Sequence, residues 1–233
     1  MGRPGMYRNR TSTLAVMVVA CLATALLATG CTTPKLLADR AQGQMARGQL
    51  DAAEKTLERA EEMHPASWRT QMLFGRLYLK QDRPAEAETA LRRALNLRPT
   101  HEQTDDILDL LAEAYYQQGE ASERALRRFL DAQLRDRGTA RDYARKGRFL
   151  ARLGDADEAI IALRQALDRD RTGDAEIHKA MAEFYRGIGD KDAELKSLRH
   201  AYFLDPTDRN VADRMRELNF IPGPTAGLPP RPQ

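Results

Sequence analysis

The chain of 233 residues carries 37 Lys and Arg against 34 Asp and Glu, is 42% hydrophobic and 6% aromatic, and holds 2 Cys, a balance that fits one helical domain or a repeat array. Arg3, Arg8 and Arg10 lie in an acid-free leader, so the rest of the chain has 34 basic and 34 acidic residues and the net charge of +3 belongs to the leader. A neutral body lacks the long-range field on which nucleic-acid binding depends, and two cysteines make neither a disulfide framework nor a Cys-rich zinc site.

The first element is residues 1–30: a basic start, an apolar run over residues 14–28 (LAVMVVACLATALLA), then Thr29 and Gly30 before Cys31. That run is shorter than the roughly 20 residues a membrane span needs, and reads as an export signal. Asn9 between Arg8 and Arg10 argues against a twin-arginine signal. The stretch Leu27-Ala28-Thr29-Gly30-Cys31 resembles a bacterial lipobox. The resemblance implies cleavage before Cys31, loss of Cys21 with the leader, and diacylglycerol on Cys31; the alternative is a Cys31 buried beside an uncleaved anchor helix. Several acyl chains at roughly 0.8 kcal/mol per buried CH₂ hold a soluble domain on a bilayer. Thr32, where inner-membrane lipoproteins tend to have Asp, implies an outer-membrane lipoprotein facing the periplasm.

Beyond Cys31 the chain repeats itself. A small residue, a large apolar one four on and Ala three further recur as Ala53/Leu57/Ala60, Ala87/Leu91/Ala94, Ala125/Phe129/Ala132 and Ala159/Leu163/Ala166, with a degraded copy at Glu194/Leu198/Ala201. The large residues are spaced by 34, 38, 34 and 35. Spacings of four and three put each set on one helical face, where small residues let two helices approach closely. Gly48, Gly119, Gly154 and Gly189, with Asp82 in the second copy, precede these units, and glycine there suits the left-handed residue that ends a preceding helix. Pro65, Pro99 and Pro206 follow the last Ala in three copies. Asp51 with Glu54, and Asp155 with Glu158, have N-cap spacing. The preceding helices show as Phe74-Gly75-x-x-Tyr78, Leu111-Ala112-x-x-Tyr115 and Met181-Ala182-x-x-Tyr185, with Tyr143, Gly147 and Leu150 in a fourth that carries Lys146 where Leu is expected.

These units resemble the tetratricopeptide repeat. The resemblance implies an all-α right-handed solenoid of about five helix-turn-helix repeats over residues 34–206, divided at about 34–67, 68–101, 105–139, 140–174 and 175–207, after a spacer at 31–33. The extra residues between Pro99 and Leu111 are expected to widen the turn between the second and third repeats. Val211, Met215 and Leu218 share one face and read as a capping helix within 207–220. The segment IPGPTAGLPPRPQ, residues 221–233, reads as a disordered proline-rich tail or, alternatively, as a docking strip.

No catalytic constellation emerges. His64, His101, His178 and His200 are isolated, with no metal-ligand spacing, phosphate loop or nucleophile triad, so the reading is non-enzymatic and without a metal or cofactor; His178 falls at a packing position. In the resembled family the first helices line a concave groove. Carried over, that stripe includes Met45 in the first repeat; Arg69, Met72, Arg76, Leu79 and Lys80 in the second; Asp109, Glu113 and Tyr116 in the third; and Arg148 and Arg152 in the fourth. Its charge alternates from repeat to repeat, which serves either a ligand or neutralisation across neighbouring repeats. The apolar strip suits a peptide or is buried by curvature or by the N-terminal helix, and Trp68 reads as a packing residue rather than an anchor. The function implied is a lipid-anchored scaffold or adaptor, a monomer or part of a hetero-complex, holding an envelope protein or peptide. Alternatives within that reading are a pilot lipoprotein for a secretin or type IV pilus and a regulatory adaptor of a peptidoglycan hydrolase; an enzyme or a purely structural element are the competing classes.

Overall fold

The computed structural model describes residues 33–97 and 99–230. Cys31 and the leader, residues 1–30, lie outside the described residues. Among those described there are eleven helices and no strand: α1 (Pro34–Ala46), α2 (Leu50–Met63), α3 (Trp68–Lys80), α4 (Pro84–Asn96), α5 (His101–Gln117), α6 (Glu120–Asp136), α7 (Ala140–Arg152), α8 (Ala156–Arg169), α9 (Ala175–Gly187), α10 (Lys191–Leu204) and α11 (Arg209–Glu217). The first ten pair in sequence as helical hairpins and α11 covers α10. The first helices α1, α3, α5, α7 and α9 also touch one another along the array, forming an inner layer, and α2, α4, α6, α8 and α10 form the outer one. None of the described helices is long and apolar enough to cross a membrane.

The turns work as the glycine spacing predicts. Gly48, Gly119, Gly154 and Gly189 have φ of 73°, 77°, 91° and 81°, and Asp82 adopts 56° in the equivalent place. At four of these turns the next amide reaches back into the helix: Gln49 N to Gln44 O, Arg83 N to Tyr78 O, Asp155 N to Leu150 O and Asp190 N to Tyr185 O, at 2.9 to 3.0 Å. This closure satisfies carbonyls that the helix end leaves open. The helix starts differ from expectation. Asp51 sits inside the first turn of α2, and Asp155 makes no side-chain cap because its carboxylate is taken by Arg127. The side chains that do cap are Thr33, Ser67, Thr139, Asp174, Asp190 and Asp208.

Close packing follows the small-large-small sets. Leu57, Leu91 and Leu163 are fully buried with their flanking alanines, and in the second and fourth hairpins the first helix presents a glycine to the leucine. At Gly147 an added Cβ would lie 2.6 Å from Leu163 and 2.9 Å from the Ala159 carbonyl. The third hairpin breaks this pattern. Its buried residues are Leu126 and Leu130, while Ala125 and Phe129 are only partly buried. A one-residue change of buried register corresponds to about 100° of helix rotation. The Tyr115 ring, 5.5 Å from that of Phe129, lies between these helices, and α5 packs less closely on α6 than the helices of the other hairpins do on each other. The extra residues do not widen a turn: they lengthen α5 and α6 to 17 residues each, against 13 or 14 in the other paired helices.

Val211 and Met215 of α11 are buried against Leu198 and Ala201. The expected disorder from residue 221 onward is corrected by the structure: residues 221–230 fold back on α10, where Leu228 N donates to Arg199 O at 3.0 Å and Arg199 Nε donates to Ala226 O at 2.8 Å. Ala226 is 6% exposed. Hydrogen bonds to the segment's own main-chain groups, which a periodicity search does not see, hold it in place.

Candidate functional site

The projected stripe falls on the inner layer, and α3, α5 and α7 bring much of it together. Met72, Leu79 and Tyr116 belong to one cluster with Leu111, Tyr115 and Phe149. This cluster is mostly a core. Met45, Met72 and Leu79 are 6%, 8% and 8% exposed, so these three, expected to line an open groove, are instead packed between helices of neighbouring repeats. Tyr116 stays half-buried at the surface, with its ring 6.1 Å from that of Phe149 and the Arg152 guanidinium 3.8 Å above its centroid. Trp68 packs against the same cluster.

The alternating charges meet across repeat boundaries. Asp39 accepts from Arg69 at 2.7 Å between the first and second repeats. Asp109 accepts from Arg148 at 2.8 Å and from Arg145 at 2.7 Å. Glu113 receives both terminal nitrogens of Arg152, one at 3.0 Å, and Arg141 reaches Asp174. The forked geometry of the Arg152–Glu113 pair is the stronger kind of charged hydrogen bond. Burial alone would raise the Glu113 carboxyl, but the hydrogen bonds and charge of Arg152, with Gln117 and Arg148, hold it below the usual carboxylate range. Groove-facing charge from the third repeat to the fifth is therefore largely cancelled. Arg76 and Lys80 form no ion pair among the described residues; the first is half-buried and the second exposed. At i and i+4 they share one helix face, which they also share with Met72.

Two groups here escape a reading of the sequence. Phe149 is 1% exposed beneath Arg152; the adjacent Phe149-Leu150 pair on an otherwise charged helix is its signal. Arg145 is also 1% exposed. It donates to Asp142 and Asp109 at 2.7 Å each and lies 3.6 Å from Asp105, while Asp142 also completes the α7 capping box with Thr139. Lys146, the residue out of pattern, reaches across to Asp131 at 2.8 Å. Among the described residues no group of three or more His, Cys, Asp and Glu side chains could hold a metal ion.

A chain of helical hairpins joined through buried alanines and left-handed turns defines a helical repeat solenoid. Tetratricopeptide repeat models match residues 44–108 and 140–172, which supports the tetratricopeptide repeat family for this array. Among solved structures, a thermophilic TPR protein of Thermus thermophilus is similar with a TM-score of 0.60 and 24% identity, over 80% of this chain and 99% of that one. The Cut9-Hcn1 hetero-tetramer of the APC/C is similar with a TM-score of 0.54 and 14% identity, over 85% of this chain and 39% of that one. At these identities the likeness is one of fold. No curated protein matches the chain.

Proposed function

We propose that this protein is a non-enzymatic, lipid-anchored scaffold of the bacterial envelope, held to the outer membrane through Cys31 and receiving a partner protein or peptide on the inner face of α3 and α5. The anchoring part rests on the lipobox-like Leu27–Cys31 stretch; the binding part rests on the repeat fold and on one observation. Arg76 and Lys80 have no ion-pair partner among the described residues, whereas Asp109, Glu113, Arg148 and Arg152 are paired with each other. Unpaired cations on the helix face that also carries Met72, whose cluster includes the half-buried Tyr116, suit a segment that offers carboxylates and one apolar side chain. Electrostatic complementarity of that kind sets register and on-rate.

Charge reversal tests this reading. Arg76→Glu with Lys80→Glu should remove the co-purifying partner from crosslinked cells and leave helicity unchanged, while Arg164→Glu on the exposed side of α8 should retain it. Loss of the partner with Arg164→Glu and retention with the groove pair would move the binding surface to the outer face.

A further inference from the structure

The outer layer holds two clefts that occupy the same place in different repeats, and they differ in kind. Between α2 and α4 a cleft of about 410 Å³ is floored by Phe74 and Tyr78 of α3. Its carboxylate Glu61 ties the walls together, accepting from Gln71 of α3 at 2.9 Å and from Arg93 of α4 at 2.7 Å. Between α8 and α10 the corresponding cleft is about 980 Å³ and is floored by Met181 and Tyr185 of α9. In repeat register Leu167 stands where Glu61 does, His178 where Gln71 does, and His200 where Arg93 does. No carboxylate at that position bridges these walls, and the His178 and His200 rings face one another with centroids 5.1 Å apart.

The segment after α11 arrives at the mouth of this larger cleft. It crosses α10 between Phe203 and His200 in a way that selects its residues. Arg199 Nε donates to the Ala226 carbonyl at 2.8 Å and His200 Nδ1 bonds the Leu228 carbonyl at 2.9 Å. An added Cβ on Gly227 would lie 2.9 Å from Phe203 Cα, so the backbone passes too close for any other residue. Pro230 then lines the cleft itself. The pattern read is a small residue, Gly, an apolar residue and two prolines, held mainly through main-chain carbonyls.

We propose that the α8–α10 cleft is a second docking site, on the face away from the inner groove, for a partner's extended proline-containing segment of this small-Gly-apolar-Pro-Pro type, with residues 226–230 holding the entrance in cis. A cleft of about 980 Å³ is at the upper end of the roughly 300 to 1,000 Å³ that ligand pockets occupy, and among the described residues a single proline of the tail lines it. Extended proline segments lose little entropy on docking and favour aromatic floors such as Tyr185 offers. The carbonyl contacts of Arg199 and His200 would serve an incoming chain as they serve the tail.

The test uses the full-length chain carrying Gly227→Val, whose side chain collides with Phe203 and lifts the tail, and a synthetic peptide of residues 225–233 as the probe. A tethered segment has an effective concentration of roughly mM, so the peptide is added to several times that value while the His178 and His200 imidazole resonances are followed. The expected result is saturable shifts of both rings in the variant, at least about tenfold weaker response in the unaltered chain because its own tail competes, and no response to the same peptide with Val in place of its Gly. Gly227→Ala, a smaller intrusion, serves if Gly227→Val lowers helicity. No shift in a folded variant, or equal shifts with and without the resident tail, would overturn the proposal. So would dimerisation of the unaltered chain through exchanged tails, which would make a second copy the occupant.

Discussion

Arg145→Met should be among the most destabilising single substitutions in the array. Arg145 is 1% exposed and holds Asp142 and Asp109 at 2.7 Å, joining the third hairpin to the fourth. Removing one partner of a buried ion pair costs about 3 to 5 kcal/mol because the remaining charge stays out of water. Asp142 keeps Arg137 at 3.5 Å and its Thr139 contacts, which places the expected loss near the lower end, about 3 kcal/mol. For an array of this size each kcal/mol lowers Tm by roughly 2 to 4 °C, so the fall should be about 6 to 12 °C. Repeat arrays are stabilised by neighbour interfaces, and this one lies beside the loosely packed α5–α6 pair; urea unfolding followed by circular dichroism should therefore change from one transition to two. Arg145→Met combined with Asp142→Asn should recover much of the loss, since the stranded charge is then gone. A variant as stable as the parent, unfolding in one step, would refute the claim that this ion cluster couples the two halves.

Burial, and then the charge of His200, lower the His178 pKa to about 4, against opposition from Asp170 and Asp174. Between about pH 4 and the unfolded value of about 6.5 the unfolded chain binds a proton that the native chain does not, so stability should be complete above that range and fall as pH drops through it, by up to about 2 to 3 kcal/mol. His178→Gln, which restores the residue type of Gln71, should flatten that part of a stability–pH curve. Gly147→Ala should cost about 1 to 3 kcal/mol by overpacking, because the new methyl meets the Ala159 carbonyl; an unchanged urea midpoint would show that α7 and α8 can part freely. Cys31→Ser should leave the protein unprocessed or release it from membranes, and a mature N-terminus at another residue without lipid, found by mass spectrometry, would contradict the anchor.

The hairpin order, the left-handed turns and the buried alanines of the first, second and fourth repeats were legible because each is a local consequence of residue type. A glycine before a small-large-small set ends one helix and lets the next begin. The register of α6 was not legible: both Phe129 and Leu130 can fill a core, and the choice depends on Tyr115 from another helix. The groove was partly legible. The resemblance to the repeat family implied Met72, Leu79 and Tyr116 on neighbouring helices, but how far each is covered depends on how closely α3, α5 and α7 approach, which no single repeat encodes. Of the two readings left open for the alternating charge, neutralisation accounts for the Glu113–Arg152 and Asp109–Arg148 pairs, whereas nothing in the spacing of Arg145, three residues from Asp142 on the same helix, marks it as buried. The order of the tail was not legible because it comes from main-chain hydrogen bonds to Arg199 and His200.

Reception of a partner on the inner face of α3 and α5 is the central claim, and a photo-reactive residue placed at Lys80, and separately at Arg164 on α8, tests it in intact cells. One discrete adduct from position 80, lost when Arg76→Glu is added and absent from position 164, is the predicted result. An adduct from position 164 with none from position 80 would contradict it.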